Sequence, residues 1–400
     1  MSWLLSVLCF LFLSTVHHIN GVDGLKTFFT TTAETTYATS STSRAPTRIT
    51  EEMHNSSMAR TTPKTPSHNL CQVSFTKVNG KYSCKGKLIF QEMFINISTQ
   101  WKRENKFAGD PDFEFVIYSN NKTNVFAKHS MLYINPTLTE ERYGVGYVNN
   151  PRGIDFGNTC TGFPETLECV QKPRAWQVLP SVISAQISTK NSFSFLYGVI
   201  EVKAKFPAGD WLYPEISLVP KSEVYGPGLE SGRIRIGFSP GNKDLGNHLW
   251  GGCTLGYTDA ARKYAMRQTT SEQPWHEDFH TYKVQWKVDS IILFVDNEVY
   301  GTIYPPPDGF ASEALLEIDP FTTERWMQGT QLAPFDQEMY IVIGVGAGGQ
   351  MFFEDTEVSK PWANNDPKAQ LRFYKKSKEW FPTWENDSQL IVDYVKVWAV

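Results

Sequence analysis

From Cys71 to Val400, short runs of alternating apolar and polar residues are separated by turns rich in Gly, Pro and Asn. In Val199–Phe206, apolar side chains stand at every even position, which is the two-residue period of a strand with one buried face. The other strand-like runs are Lys87–Phe94, Phe113–Tyr118, Arg233–Gly237, Tyr282–Lys287, Ser290–Asp296, Met339–Val345 and Gln389–Val397, with a hairpin turn expected at Asp296–Glu298. Without long amphipathic helices or internal repeats, this pattern predicts an all-β sandwich or jelly roll of two antiparallel sheets. The concave face of such a sandwich is a natural groove for a linear polymer.

The first 70 residues have a different texture. The apolar run Leu4–Val16 is too short for a transmembrane span and fits the core of a secretory signal peptide, although no Lys or Arg precedes it. Residues 23–70 are rich in Thr and Ser and predict a disordered, O-glycosylated stalk, with a plain spacer as the alternative. We therefore expect a signal peptide at 1–22, a stalk at 23–70, one folded domain at 71–400, a secreted extracellular protein and no membrane span.

Composition narrows the functional classes. The 400 residues carry a net charge of −4, which argues against non-specific nucleic-acid binding. Aromatic residues make up 14% of the chain, which favours strands over helices.

Cysteine and asparagine positions are consistent with export. The chain downstream of the predicted signal has five cysteines, so at least one is unpaired within the chain. Cys71–Cys84 and Cys160–Cys169 are the candidate disulfides, which leaves Cys253. Four N-x-S/T sequons are candidate glycan acceptors, at Asn55, Asn96, Asn121 and Asn386.

Several short motifs match known sites but lack the required context. His276–His280 reads H-E-x-x-H, but Pro274 precedes it and a strand-like run follows, whereas zinc chemistry needs a helix there. Ser239 lies in G-x-S-x-G, but a turn follows where a nucleophile elbow needs a helix. The glycines of 344–349 open no helix. The basic run 372–378 is interpreted as a solvated loop, with contact to anionic bacterial surfaces as the alternative. We predict no metal and no cofactor.

The stretch Ser184–Asn242 carries the functional information. Together with Asp278–Trp286 and Asp289–Asp296, it resembles the family 16 glycoside hydrolases, and more closely the arthropod β-1,3-glucan recognition proteins, also called Gram-negative bacteria-binding proteins. The resemblance extends from about Cys84 to Trp398. It implies a concanavalin-like jelly roll with a long sugar groove.

Enzymes of the family carry a G-E-I-D-I-x-E strand on the groove floor, with a nucleophilic first Glu, a supporting Asp and an acid/base last Glu. Here the strand reads Gly232-Arg-Ile-Arg-Ile-Gly-Phe238. By resemblance, Arg233 takes the nucleophile position, Arg235 the supporting position and Phe238 the acid/base position. Retaining hydrolysis needs two carboxyl groups about 5–5.5 Å apart, and neither Arg nor Phe supplies one. Glu215 and Glu230 are the nearby carboxylates that would have to substitute.

Binding can outlast catalysis, because aromatic rings bury the apolar faces of sugars. The candidate groove residues are Trp211, Tyr213, Glu215, Arg233, Arg235, Phe238, Trp250 and Trp362. Among the tryptophans, Trp211 ranks first by resemblance to the family's groove-lining segment. Core or rim packing is the alternative for each of them.

The resemblance implies a non-catalytic recognition protein of innate immunity that binds microbial β-1,3-glucan or bacterial surface polysaccharide. Secreted serine proteases or other recognition proteins would be its partners. Two alternatives remain open: an active β-1,3-glucanase, and an immune scaffold without sugar affinity. The second stays open because the Thr/Ser-rich segment stands where many family members have an immunoglobulin-like glucan-binding module.

Overall fold

The computed structural model describes residues 71–400, so the predicted signal peptide, the Thr/Ser-rich segment and Asn55 lie outside the described residues. The strands of this part, in chain order, are β1 (Val73–Val78), β2 (Lys81–Cys84), β3 (Leu88–Glu92), β4 (Lys102–Arg103), β5 (Lys106–Phe107), β6 (Val116–Tyr118), β7 (Val125–Lys128), β8 (Met131–Ile134), β9 (Thr137–Leu138), β10 (Ile154–Asp155), β11 (Val170–Gln171), β12 (Val182–Ser184), β13 (Gln186–Ser188), β14 (Phe195–Leu196), β15 (Gly198–Lys205), β16 (Leu212–Pro220), β17 (Arg233–Phe238), β18 (His248–Thr254), β19 (Ala265–Thr270), β20 (His280–Trp286), β21 (Ile291–Val295), β22 (Glu298–Ile303), β23 (Met339–Ala347) and β24 (Leu390–Trp398). The α-helices are α1 (Thr139–Tyr143), α2 (Asp259–Lys263), α3 (Pro320–Trp326), α4 (Ala369–Lys375) and α5 (Ser377–Trp380). Within residues 71–400, none of these helices has the length and apolar character that crossing a bilayer requires.

Two large antiparallel sheets form the predicted sandwich. In the first sheet the strands run in the order β19-β18-β17-β16-β23-β14-β1-β2, and in the second β22-β21-β20-β15-β24-β8-β7. Burial alternates strictly along β15, as the sequence pattern predicts. The sheets share one apolar core, in which Tyr282 stacks on Phe206 at 4.1 Å and both rings face Gly237 of the opposite sheet.

Turn chemistry follows the sequence at the hairpin between β21 and β22. Val295 pairs with Glu298, which leaves Asp296 and Asn297 as a two-residue loop. Both have positive φ, +47° and +70°, a conformation that Asp and Asn tolerate better than most residues. The predicted turn at this position is confirmed.

One predicted strand starts later than expected. The run Phe113–Tyr118 is extended only in β6, because Phe113 has φ +53° and its amide donates to the carbonyl of Gly109. Residues 109–115 therefore form a loop, which we call the 109–115 loop. It carries three acidic residues, Asp110, Asp112 and Glu114, of which Asp112 and Glu114 are buried.

The structure contains both candidate disulfides. Cys71–Cys84 joins the start of β1 to the end of β2, and Cys160–Cys169 closes the loop between β10 and β11. Cys253 is a free, buried thiol on β18, and burial raises its pKa. Asn96 and Asn386 are exposed and Asn121 is half-buried, so the described sequons remain candidate glycan acceptors.

Candidate functional site

Strand β17 forms the floor of a groove on the open face of the first sheet, between β16 and β18. Ile234 and Ile236 point into the core, so Arg233 and Arg235 lie on the opposite face. A bulge then adds one residue between Arg235 and Phe238, because Arg235 pairs with Gly252 and Phe238 with Trp250. The bulge returns Phe238 to the face of the two arginines. The three family positions thus share one surface although none carries a carboxylate.

The two arginines are held by acidic residues from elsewhere in the fold. Asp112 is fully buried and accepts hydrogen bonds from Arg233 Nη1 at 3.0 Å, Arg235 Nη2 at 2.7 Å and Arg262 Nη1 at 3.0 Å. Burial alone would raise the pKa of the Asp112 carboxyl, but the three guanidinium groups together hold it well below its usual range. Asp112 is therefore an anion at neutral pH.

Glu215 on β16 completes this network. Its carboxylate accepts from Arg233 Nη1 at 2.7 Å and from Gln186 Nε2 at 3.0 Å, and its side chain is almost completely buried. We call Asp112, Glu215, Arg233, Arg235 and Arg262 the arginine cluster. A carboxylate locked in this way is not free to attack a sugar or transfer a proton.

Glu230, the other carboxylate considered as a substitute, is directed away from the arginine cluster. It precedes β17 in a short 3-10 segment, Gly228–Ser231, and pairs with Arg325 of α3. In the described structure it does not belong to the arginine cluster. Neither nearby Glu is placed as an unpaired acid on the groove floor.

A further carboxyl, Glu114 of the 109–115 loop, lies beside the arginine cluster. The Tyr118 hydroxyl donates to Glu114 Oε1 at 2.9 Å. Burial, followed by the negative charges of Glu215 and Asp112, raises the pKa of Glu114 to about 8. Glu114 is therefore mostly protonated at pH 7, which adds no further negative charge to the buried floor.

Beside the arginine cluster the groove is aromatic. Phe238 stacks on Phe352 at 4.8 Å and contacts Trp250 at 5.8 Å, and the Arg235 guanidinium lies 4.6 Å from the centre of the Phe352 ring. Trp250 is half-exposed. The groove encloses about 730 Å³, within the usual range for small-ligand sites. Polar side chains around it include Thr254, Gln268, Gln350, Asn364 and Asn365.

Three of the predicted groove residues are core residues instead. Trp211, Tyr213 and Trp362 are 2%, 0% and 4% exposed, so none presents a ring face to a ligand in this structure. Trp211 packs edge-on against Trp362 at 5.2 Å and against Phe353 at 5.1 Å. Trp362 Nε1 donates to the Gly349 carbonyl at 2.8 Å. These contacts hold the segment that carries Phe352, so the rings support the groove wall from behind. The ranking of Trp211 above Trp250 as a groove residue is corrected accordingly.

The misleading motifs have ordinary structural settings. His280 begins strand β20 and its Nδ1 lies 2.7 Å from Asp296 Oδ2, whereas burial lowers the pKa of His276. Ser239 is buried and its hydroxyl donates to the Gly246 carbonyl. The basic run 372–378 lies largely on helices α4 and α5, where a solvated loop was expected.

Sequence reasoning missed Asp112, Glu114 and Arg262. They lie 123, 121 and 27 positions from Arg235 in the chain, and no motif connects them. The one available signal was an acidic residue, Glu114, inside the apolar run Phe113–Tyr118. A buried acid in such a run needs a partner.

The fold and the floor strand β17 together define the class of protein: it is a laminarinase-like β-sandwich of the family 16 type. The chain matches the model of "Glycosyl hydrolases family 16" over residues 243–315. Its structure resembles the endo-β-1,3-glucanase of Pyrococcus furiosus with a TM-score of 0.50 at 18% identity, covering 81% of this chain and 97% of that one. At this identity the likeness concerns the fold alone.

Closer relatives are binding proteins by name. The chain is 48% identical to a β-1,3-glucan-binding protein of Tenebrio molitor, covering 82% of this chain and 69% of the relative. It is 34% identical to Gram-negative bacteria-binding protein 1 of Drosophila melanogaster, covering 84% and 69%. The chain belongs to this family of β-1,3-glucan-binding and Gram-negative bacteria-binding proteins, which is related to the family 16 glycoside hydrolases.

Proposed function

We propose that this chain is a secreted, non-catalytic recognition protein that binds microbial β-1,3-glucan in the groove beside the arginine cluster. The observation that carries the proposal is the floor of the groove, where Arg233, Arg235 and Phe238 share one face beside an open aromatic surface. The names of the relatives at 48% and 34% identity support the same conclusion.

The groove has the surface chemistry that a neutral glucan needs. Trp250 and Phe352 are half-buried, and their exposed ring atoms can pack against the apolar side of a pyranose. Gln268, Gln350 and Asn365 offer amides that both donate to and accept from hydroxyl groups. A glucan chain lying across β18 and β19 would contact both sets.

Catalysis is opposed by three features of the floor. Arg233 and Arg235 have no lone pair for attack, and Phe238 has no proton to transfer. Asp112 and Glu215 form ion pairs with the arginines, so their carboxylates are not free to act as nucleophile or acid/base. Retaining hydrolysis requires a nucleophile and an acid/base that flank one glycosidic bond, and neither of the two family positions for these roles, Arg233 and Phe238, carries a carboxyl group.

The binding test uses the purified full chain and insoluble β-1,3-glucan, with cellulose as the polysaccharide control. We expect depletion by the glucan and a marked loss of it in Trp250→Ala. The matched control is Trp398→Ala, a half-buried tryptophan on β24 in the opposite sheet, which should bind like the unchanged protein. Thermal melts of both variants establish that they are folded. No depletion by glucan would overturn direct binding and move the search to protein partners such as secreted proteases.

The catalytic test measures reducing ends released from laminarin over a long incubation. We expect none above the rate of a heat-denatured sample. Release of sugar that survives Glu215→Gln and Glu230→Gln would mean that an unrecognised acid works in the groove, and release abolished by either would identify it.

Secretion is a separate part of the proposal. It is supported by the apolar run Leu4–Val16 and by the two disulfides of the folded domain, since disulfides persist in oxidising compartments. Expression of residues 1–400 in insect cells should deliver the protein to the medium with a new N-terminus near residue 23. Protein that stays in the cells and still carries Leu4–Val16 would contradict secretion.

A further inference from the structure

A second concavity lies on the other side of the 109–115 loop. It encloses about 330 Å³ and is lined by Phe113, Glu114, Trp176, Gln177, Gln350 and Gln370, among others. Gln350 also lines the groove described above. Asp112 of the 109–115 loop is bonded to Arg233, Arg235 and Arg262. The two concavities are therefore neighbours, since Arg235 and Arg262 line the first and other residues of the 109–115 loop line the second.

Trp176 is the unusual residue of this second pocket. It is 40% exposed, the largest exposed fraction among the tryptophans of residues 71–400. It sits in a two-residue turn that is closed by reciprocal backbone hydrogen bonds between Arg174 and Gln177, at 3.0 and 2.9 Å. Ala175, the other turn residue, has φ +52°, a strained conformation for alanine. Folding gains little from such an arrangement, and a strained turn that presents a large ring points to a binding role.

The remaining lining suits hydroxyl groups. Gln370 Nε2 donates to the Val178 carbonyl, which fixes the amide and leaves its oxygen available. Gln177 and Gln350 add two more amides at the rim. Amides hydrogen-bond sugar hydroxyls as donors and as acceptors, and the apolar faces of Trp176 and Phe113 stand beside them.

The small number of charged side chains in the pocket lining favours an uncharged ligand. The charged residue types in the lining are Lys172, which is exposed, and Glu114, which is bonded by the Tyr118 hydroxyl and mostly protonated at pH 7. The volume lies at the lower end of the range for small-ligand sites, which limits the occupant to one or two sugar rings.

We propose that the Trp176 pocket is a second carbohydrate subsite that takes a neutral hexose or disaccharide unit of a β-glucan, separate from the Trp250 groove. This inference rests on the proposed function, since it assigns a further contact for the same polymer. Because the two linings share only Gln350, each space binds its own short stretch of sugar. A long glucan that reaches both gains affinity by bivalent attachment.

The test measures dissociation constants of the full chain for laminaribiose and for a long soluble laminarin, by titration calorimetry. The unchanged protein should bind laminaribiose at two sites, and Trp176→Ala should weaken one of them about tenfold, equivalent to about 1.4 kcal/mol, while the site in the Trp250 groove is unchanged. Trp176→Phe, which keeps a ring face, should recover part of that affinity. For laminarin, each single variant should lose the gain from bivalent attachment, and the combined Trp176→Ala/Trp250→Ala variant should lose more than either, because a single variant still keeps one of the two contacts.

The outcomes separate this inference from the proposed function. If the unchanged protein binds neither sugar, both fall. If laminarin binds and only Trp250→Ala weakens it, the groove stands and the second subsite is wrong. If Trp176→Ala weakens binding but Trp176→Phe weakens it equally, ring stacking is not its basis and the subsite is likewise wrong. Because Trp176 is exposed, its substitution should leave the melting temperature within a few degrees of the unchanged protein.

Discussion

Asp112→Asn tests whether the arginine cluster is a buried, fully paired network. The substitution preserves the shape of the side chain but removes the negative charge that accepts from three guanidinium groups at 2.7–3.0 Å. Glu215 alone then faces three arginines, one of which, Arg235, has a side chain only 6% exposed. Breaking a buried ion pair by removing one partner costs about 3–5 kcal/mol, because the other charge stays buried without compensation.

The assay is equilibrium urea unfolding of the full chain at pH 7, with disulfides intact. Asp259→Asn is the matched control, because Asp259 pairs with Lys263 at 2.9 Å but both side chains are more than half exposed. The control should cost less than about 1 kcal/mol. A second variant, Asp112→Asn/Arg235→Met, removes one of the orphaned charges and should recover part of the lost stability.

The pH dependence provides an independent check. Asp112 has a pKa that is lower in the folded protein than in the unfolded chain, so its contribution is present above about pH 4 and is lost as the pH falls towards the folded-state value. Asp112 also helps to raise the pKa of Glu114, so the comparison is made with Glu114→Gln in both proteins. In that background the gap between Asp112 and Asp112→Asn should be constant from pH 5 to 7 and should shrink in acid. A loss below about 1 kcal/mol at pH 7, or no recovery in the double variant, would refute the view that the cluster is a desolvated network.

Further predictions concern single side chains. As the pH rises from about 4.5 to about 8, Glu114→Gln should become more stable than the unchanged protein, by at most about 5 kcal/mol. The reason is that the Glu114 carboxyl must ionise in a buried site, whereas Gln has no group that ionises. A difference in melting temperature between the two proteins that is the same at pH 5, 7 and 9 would contradict this. Trp211→Ala should lower the free energy of unfolding in urea by about 3–5 kcal/mol, as expected for the loss of a large core ring. A variant of unchanged stability would mean that Trp211 is not a core residue and would support its original assignment to the groove. Replacing Cys160 and Cys169 together by Ser should cost about 2–3 kcal/mol from the loss of a nine-residue closure, measured by thermal melting without reductant.

Local pattern in the sequence determined most of the framework. The alternation in Val199–Phe206 appears as β15, the turn at Asp296–Asn297 has the conformation its residues favour, and both candidate disulfides form. The register of the floor strand follows as well, since the bulge between Arg235 and Phe238 puts three positions of one short motif on one face. These features depend on residues a few positions apart or on bonds between cysteines that can be identified in the sequence. They can therefore be predicted from the sequence alone.

Tertiary structure alone decided which side chains meet. Asp112 contacts Arg233 and Arg235, which lie 121 and 123 positions later in the chain. It does so from a loop, because the positive φ of Phe113 prevents a strand from starting there. It also decided which tryptophans are available, because Trp211 turns under the groove wall while Trp176 is displayed on a tight turn. The sequence alone does not distinguish an exposed tryptophan from a buried one. Burial depends on the residues that pack against each ring, and these come from segments far apart in the chain.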